Sequence, residues 1–70
     1  MDMTLTFLRE HRGMTQREVA KKLGVQQPAV SQMEHSTAIS FVGVVNYLRA
    51  LGGEVELRVH FPDRSEWRLL

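Results

Sequence analysis

The chain has 70 residues, with nine Lys and Arg against eight Asp and Glu, so its formal net charge is only +1. A chain of this size is one domain and can bury roughly 60% of the surface its unfolded form exposes, so a partner chain is an expected source of further stability. There is no cysteine, which excludes disulfide staples and zinc–thiolate sites and fits a reducing cytoplasm, and the charge balance is too even to indicate nucleic acid by itself.

The spacing predicts a first helix from Thr4 to His11, with Leu5 and Leu8 on one face and Gly13 ending it. Phe7 falls beside that stripe, so it packs elsewhere or against a partner. Thr15-Gln16-Arg17-Glu18 fits a capping box, in which the Thr15 hydroxyl and the Glu18 carboxylate each satisfy the other's backbone N–H. Met14 precedes the cap as a staple. Val19, Ala20 and Leu23 continue an apolar face, and Gly24 stops this second helix after about two turns. Val25 is the turn. A third helix starts near Gln26 or Gln27, and Pro28 is tolerated in its first turn, where no N–H partner is needed. Val30 and Met33 face inward, Glu34 closes the helix, and His35 to Ala38 form a loop.

Ser40 caps a fourth helix that runs to about Leu51, with Val44, Val45, Leu48 and Leu51 as its buried stripe. Gly43 and the valines lower its intrinsic propensity, so packing must hold it. Gly52-Gly53 ends it. The period then changes from 3.6 to 2: Glu54 to Phe61 alternates, with Val55, Leu57, Val59 and Phe61 on one side. Pro62 to Ser65 is a turn. Glu66 to Leu69 returns as a second strand with Trp67 and Leu69 on the apolar side. A two-stranded hairpin is marginal in water, so this one must lie on the helices, pair with another chain, or both.

Two short helices around Gly24-Val25 have the form of a helix-turn-helix, whose second helix enters the DNA major groove. The residue types suit that task. Gln16 sits at a helix N-terminus, where free N–H groups favour a phosphate. Gln26, Gln27, Ser31 and Gln32 are uncharged donors and acceptors, and glutamine can pair bidentately with adenine. Pro28 and Ala29 offer apolar contact to a thymine methyl. Arg9, Arg12, Arg17, Lys21 and Lys22 gather positive charge in the first third of the chain. Arg17, Lys21 and Lys22 are either phosphate contacts or a solvated face. Thr37 and Ser40 are further phosphate candidates from the loop.

Residues 5–51 resemble the Xre/Cro/C1 helix-turn-helix family, which includes lambda-type phage repressors. The resemblance is carried by Met14-Thr15-Gln16, Val19-Ala20, Leu23-Gly24-Val25, Gln27, Val30-Ser31 and Glu34. The run from Tyr47 to Gly53, followed by an amphipathic strand ending Phe61-Pro62-Asp63, is similar to antitoxins of the HigA type. The resemblance implies a cytoplasmic, dimeric repressor of its own operon. It places Gln16 on a phosphate and Gln27, Ser31 and Gln32 near bases, and it implies an inward ion pair between Arg9 and Glu34. Pro28 departs from the polar residue frequent in phage repressors. The strand-turn-strand tail is absent from those repressors, so their mode of dimerisation is not carried over.

Other chemistries have little support. His11, His35 and His60 share no metal-ligand spacing. There is no Gly-rich phosphate loop and no nucleophilic cysteine, so neither an enzyme nor a cofactor is expected. No stretch approaches the roughly 18 apolar residues of a membrane span, and the N-terminus lacks the order of a signal peptide.

The expected protein is mainly α. A four-helix, lambda-repressor-like helix-turn-helix domain spans residues 1–53, and a C-terminal β-hairpin or strand spans residues 54–70 as a dimerisation extension. Val55, Leu57, Val59, Phe61 and Trp67 would form the interface, with the strands pairing within or between chains. The expected function is a repressor that binds a palindromic operator in double-stranded DNA as a homodimer. The alternative is an antitoxin that also neutralises an RNase-like toxin. A third possibility is a dimerisation scaffold alone.

Overall fold

The structure is a computed structural model that describes residues 4–70. Four helices are followed by two short strands: α1 (Leu5–His11), α2 (Gln16–Leu23), α3 (Gln27–His35), α4 (Phe41–Ala50), β1 (Arg58–His60) and β2 (Glu66–Arg68).

The helix starts follow from local chemistry. The Thr4 hydroxyl accepts from the Phe7 N–H at 3.0 Å, so Thr4 is the cap of α1 and the helix begins one residue later than the spacing suggests. The capping box of α2 is complete: the Glu18 N–H donates to Thr15 Oγ1 and the Thr15 N–H to Glu18 Oε1, each at 3.1 Å. Gly24 ends α2 at φ +71°, a left-handed conformation that glycine adopts without steric cost. Gln26 caps α3 in extended conformation, with Pro28 in the first turn. The helix runs one residue past Glu34, because the His35 ring bonds the Ser31 carbonyl at 2.7 Å and extends the last turn. Ser40 caps α4 by accepting from the Gly43 N–H at 3.0 Å. A Cβ on Gly43 would lie 3.1 Å from the Ser40 hydroxyl and 3.2 Å from Ile39, so glycine keeps this cap compact.

Val19, Ala20, Val30, Tyr47, Ala50 and Leu51 form the buried core, with Leu5, Leu8, Met14, Leu23, Met33 and Leu48 packed against it. Helix α2 is the central element and packs on both α3 and α4. The stripe of α4 matches the expected one at Val45 and Leu51, which are buried, and differs at the other two positions. Tyr47, not Val44 or Leu48, is its fully buried residue, while Val44 and Leu48 are half-buried. An aromatic ring buries a large apolar area, and a phenol is accepted in a core when its hydroxyl finds a partner. Phe7 does not enter the core; its ring stacks on His11, with centroids 5.8 Å apart.

The strands pair antiparallel within the chain, Arg58 opposite Arg68, Val59 opposite Trp67 and His60 opposite Glu66. The Asp63 carboxylate accepts from the Ser65 N–H and hydroxyl, and these bonds fix the turn. The ordered strand is shorter than the alternating run. Leu57 bonds both Leu69 and Leu70, so the register slips there and the ladder ends. Neither strand packs on a helix as closely as α3 and α4 pack on α2. The hairpin extends the molecule to 45 Å against about 20 Å in the other two directions. Trp67 and Leu69 remain 61% and 65% exposed, and Phe61 50%. Leu57 is also exposed, while Val55 and Val59 are half-buried.

Thr15→Ala removes one half of the capping box, and such a loss costs about 1 kcal/mol. For a domain of this size the expected fall in Tm is roughly 4–8 °C. Thermal unfolding followed by circular dichroism tests it, and an unchanged Tm would show that the box does not hold α2.

Candidate nucleic-acid interface

Helices α2 and α3 meet at the Gly24-Val25 turn, and α3 turns Val30 into the core and Met33 against it. The opposite side of α3 faces solvent. There Gln26, Gln27, Pro28 and Gln32 are exposed and Ser31 is half-buried. Pro28, Ser31 and Gln32 line one shallow depression together with Ala29 and His35. Arg17, Lys21, Val25, Gln26, Gln27 and Pro28 line a second. Pro28 belongs to both, so Arg17, Gln26, Gln27, Pro28, Ser31 and Gln32 share one continuous surface. Thr37 is exposed in the loop after α3 and lines neither depression. Lys21 and Lys22 are both exposed, but Lys22 points to another face with Asn46 and Arg49.

Behind this surface lies one carboxylate. The Glu34 side chain is fully buried and the Arg9 side chain 11% exposed, and Arg9 Nε donates to Glu34 Oε2 at 2.7 Å. Arg9 also donates to Glu34 Oε1 at 3.2 Å and to the Met14 carbonyl at 2.9 Å. The Tyr47 hydroxyl donates to Glu34 Oε2 at 2.5 Å. Thr6 Oγ1 and Gln16 Nε2 each donate to Glu34 Oε1 at 3.0 Å. Gln16 in turn accepts from Gln27, whose Nε2 lies 2.5 Å from Gln16 Oε1. Gln16 is therefore only half-exposed, tied to the core on one side and to the outer surface on the other.

Burial alone would raise the Glu34 pKa. Donation from Arg9, then from Tyr47, Gln16 and Thr6, outweighs it and holds the carboxyl at about 2. The same contacts act on the donors. Burial and the bond to Glu34 push the Tyr47 phenol above its ordinary value. The bond to Glu34 raises Arg9. The cluster is thus a fixed negative charge with a permanent cation beside it. Among the described residues no buried side-chain polar atom lacks a partner, and no group of three or more potential metal ligands occurs.

Residues 3–60 match the helix-turn-helix domain family, which is most of the chain. The chain belongs to this family. Among solved structures it is similar to a DNA-bound antitoxin HigA3, at 26% identity and a TM-score of 0.87, with 100% of this chain and 92% of that chain covered. No curated protein matches it. The four helices and short antiparallel pair of this helix-turn-helix chain correspond to that antitoxin fold.

Sequence reasoning did not find Thr6 or Tyr47 as partners of Glu34. Tyr47 carried a signal, since a phenol within an apolar helix stripe needs a hydrogen-bond partner when buried. Thr6 carried none.

The low pKa of Glu34 sets a pH dependence. The folded value, about 2, lies below the ordinary 4.5, so ionisation favours the folded state above about pH 4.5. That contribution, on the order of 3 kcal/mol, is lost as pH falls from there towards about 2. Denaturant midpoints measured across this window should fall steeply. Glu34→Ala leaves Arg9 buried without its counter-charge, which costs roughly 3–5 kcal/mol. The variant should be largely unfolded at neutral pH, and a stable, fully helical Glu34→Ala would contradict this account.

Proposed function

We propose that this chain is a sequence-specific DNA-binding regulator of the Xre/Cro/C1 type that represses transcription as a homodimer. The observation that supports it most is the outer face of α3: uncharged hydrogen-bonding side chains stand exposed on a helix whose other face is locked into the core. Gln26, Gln27, Ser31 and Gln32 read base edges in the major groove, with Pro28 against a thymine methyl. Gln16 and Arg17 hold the phosphate backbone, and Thr37 adds a contact from the loop. Such contacts position the protein without carrying sequence information. Recognition of this kind needs no cofactor and no catalysis, and it takes place in the cytoplasm. Among the described residues no helix is long and apolar enough to cross a membrane.

The homodimer rests on the hairpin. None of its apolar side chains joins the cluster packed on the helical core, and Leu57, Phe61, Trp67 and Leu69 stand exposed; a marginal two-stranded sheet gains stability when such side chains are covered. A second copy places Val55, Leu57, Val59, Phe61 and Trp67 against their own symmetry mates. Two recognition helices then read half-sites about 34 Å apart in a palindromic operator.

A second reading is favoured by the likeness to the DNA-bound antitoxin. In it the chain also neutralises an RNase-like toxin encoded beside it and autoregulates the shared operon. Co-purification with the product of the neighbouring reading frame distinguishes this from a stand-alone repressor.

Selection from a random duplex pool should enrich a palindromic site. Gln27→Ala and Gln32→Ala should each lower preference for that site about tenfold while helicity stays unchanged. Unaltered preference in both would reject the base-reading assignment. Light scattering should show a dimer at micromolar concentration, and Trp67→Glu should weaken it. A folded wild-type monomer at that concentration would reject the interface.

A further inference from the structure

The chain of hydrogen bonds from the core to the outer face of α3 has a direction. The Glu34 carboxylate, ionised and fully buried, can only accept. Gln16 must therefore turn its NH2 group inward to Glu34 Oε1, at 3.0 Å. Its oxygen is left facing Gln27, which must answer with its own NH2 group. One N–H of Gln27 is committed to Gln16. Among the described residues its remaining N–H and its oxygen have no other partner, and the residue is exposed. An isolated glutamine amide turns over freely and offers donor and acceptor in either order. Here the order is dictated from inside.

We propose that Glu34 is a positioning residue for base reading: through Gln16 it fixes which way round the Gln27 amide faces the DNA, and so makes Gln27 selective for adenine. Adenine presents an N6 donor beside an N7 acceptor, the complement of a free amide oxygen beside a free N–H. Guanine presents two acceptors and is refused by an amide that cannot turn its oxygen away. This rests on the DNA-binding reading above. It adds that a residue out of reach of DNA decides part of the specificity. Arg9, Thr6 and Tyr47 hold the carboxylate in place but do not set the direction, because each only donates to it.

The test is Glu34→Gln, which keeps the shape but can donate as well as accept. Once the new amide at position 34 turns over, Gln16 and then Gln27 can reverse. Tyr47→Phe is the control, since it removes one bond to the carboxylate and leaves its accepting character. Each variant is measured on the duplex selected by wild type and on the same duplex with the adenine at the Gln27 position replaced by guanine. Wild type and Tyr47→Phe should prefer adenine by about tenfold or more, and Glu34→Gln should bring that ratio close to one. Tyr47→Phe should lower Tm without changing the ratio. If both variants lose the ratio in proportion to their stability, the effect is loosening and the proposal falls.

If Glu34→Gln does not fold, Gln16→Met carries the test by cutting the chain in its middle, and a retained adenine preference overturns the proposal. The relay is also read without DNA. Side-chain amide signals of Gln16 and Gln27 in 1H–15N spectra should both move in Glu34→Gln. A Gln27 signal that stays in place overturns the relay. Failure of wild type to enrich any duplex overturns the DNA reading and this proposal with it, whereas an enriched site whose adenine preference survives Glu34→Gln overturns the relay alone.

Discussion

The carboxylate of Glu34 on α3 accepts from Thr6 and Arg9 on α1, Gln16 on α2 and Tyr47 on α4, so one buried group touches all four helices. A buried charge is tolerable only when it is fully paired and hydrogen-bonded, and this one is. The constraint runs in both directions. Each helix must arrive in one orientation for its donor to reach the carboxylate, and the carboxylate must stay ionised for the donors to be satisfied. Replacing such a network with apolar residues often leaves stability unchanged, so its contribution here is best seen in the geometry it imposes.

That geometry places α3, the proposed recognition helix. Apolar contacts of Val30 and Met33 hold α3 against the core but are non-directional and tolerate small rotations. Hydrogen bonds tolerate less. Arg9 and Tyr47 fix the C-terminal half of α3 through Glu34, while Gln16 and Gln27 link its N-terminus to the start of α2. A helix pinned at both ends presents its outer side chains in a defined order, which suits the proposed discrimination between bases.

The hairpin obeys a different logic. Its polar side carries ion pairs among Glu56, Arg58, Glu66 and Arg68, all solvent-exposed and individually weak. Its other side exposes Phe61, Trp67 and Leu69. The helical body closes its core without this segment, so the hairpin is free to serve a partner. The helices and the hairpin thus divide the proposed work, one part reading DNA and the other bringing two copies together.

Much of this protein follows from local sequence alone. Thr15 with Glu18, Gly24, Pro28 and Ser40 fix where helices start and stop, because capping and turn chemistry involve residues only a few positions apart. The alternation after Gly53 likewise determines a strand-turn-strand, since a period of 2 sorts side chains to two faces without reference to the rest of the chain. Tertiary structure decided what depends on distance. Tyr47 and Thr6 meet Glu34 across separations of 13 and 28 residues, which no local pattern encodes. The buried side of α4 carries Tyr47 beside Val45 and Leu51, and the bond of its phenol to that carboxylate is not legible from the run of valines. Where the hairpin sits was also not legible locally, because an apolar strand face states that it must be covered and leaves open by what.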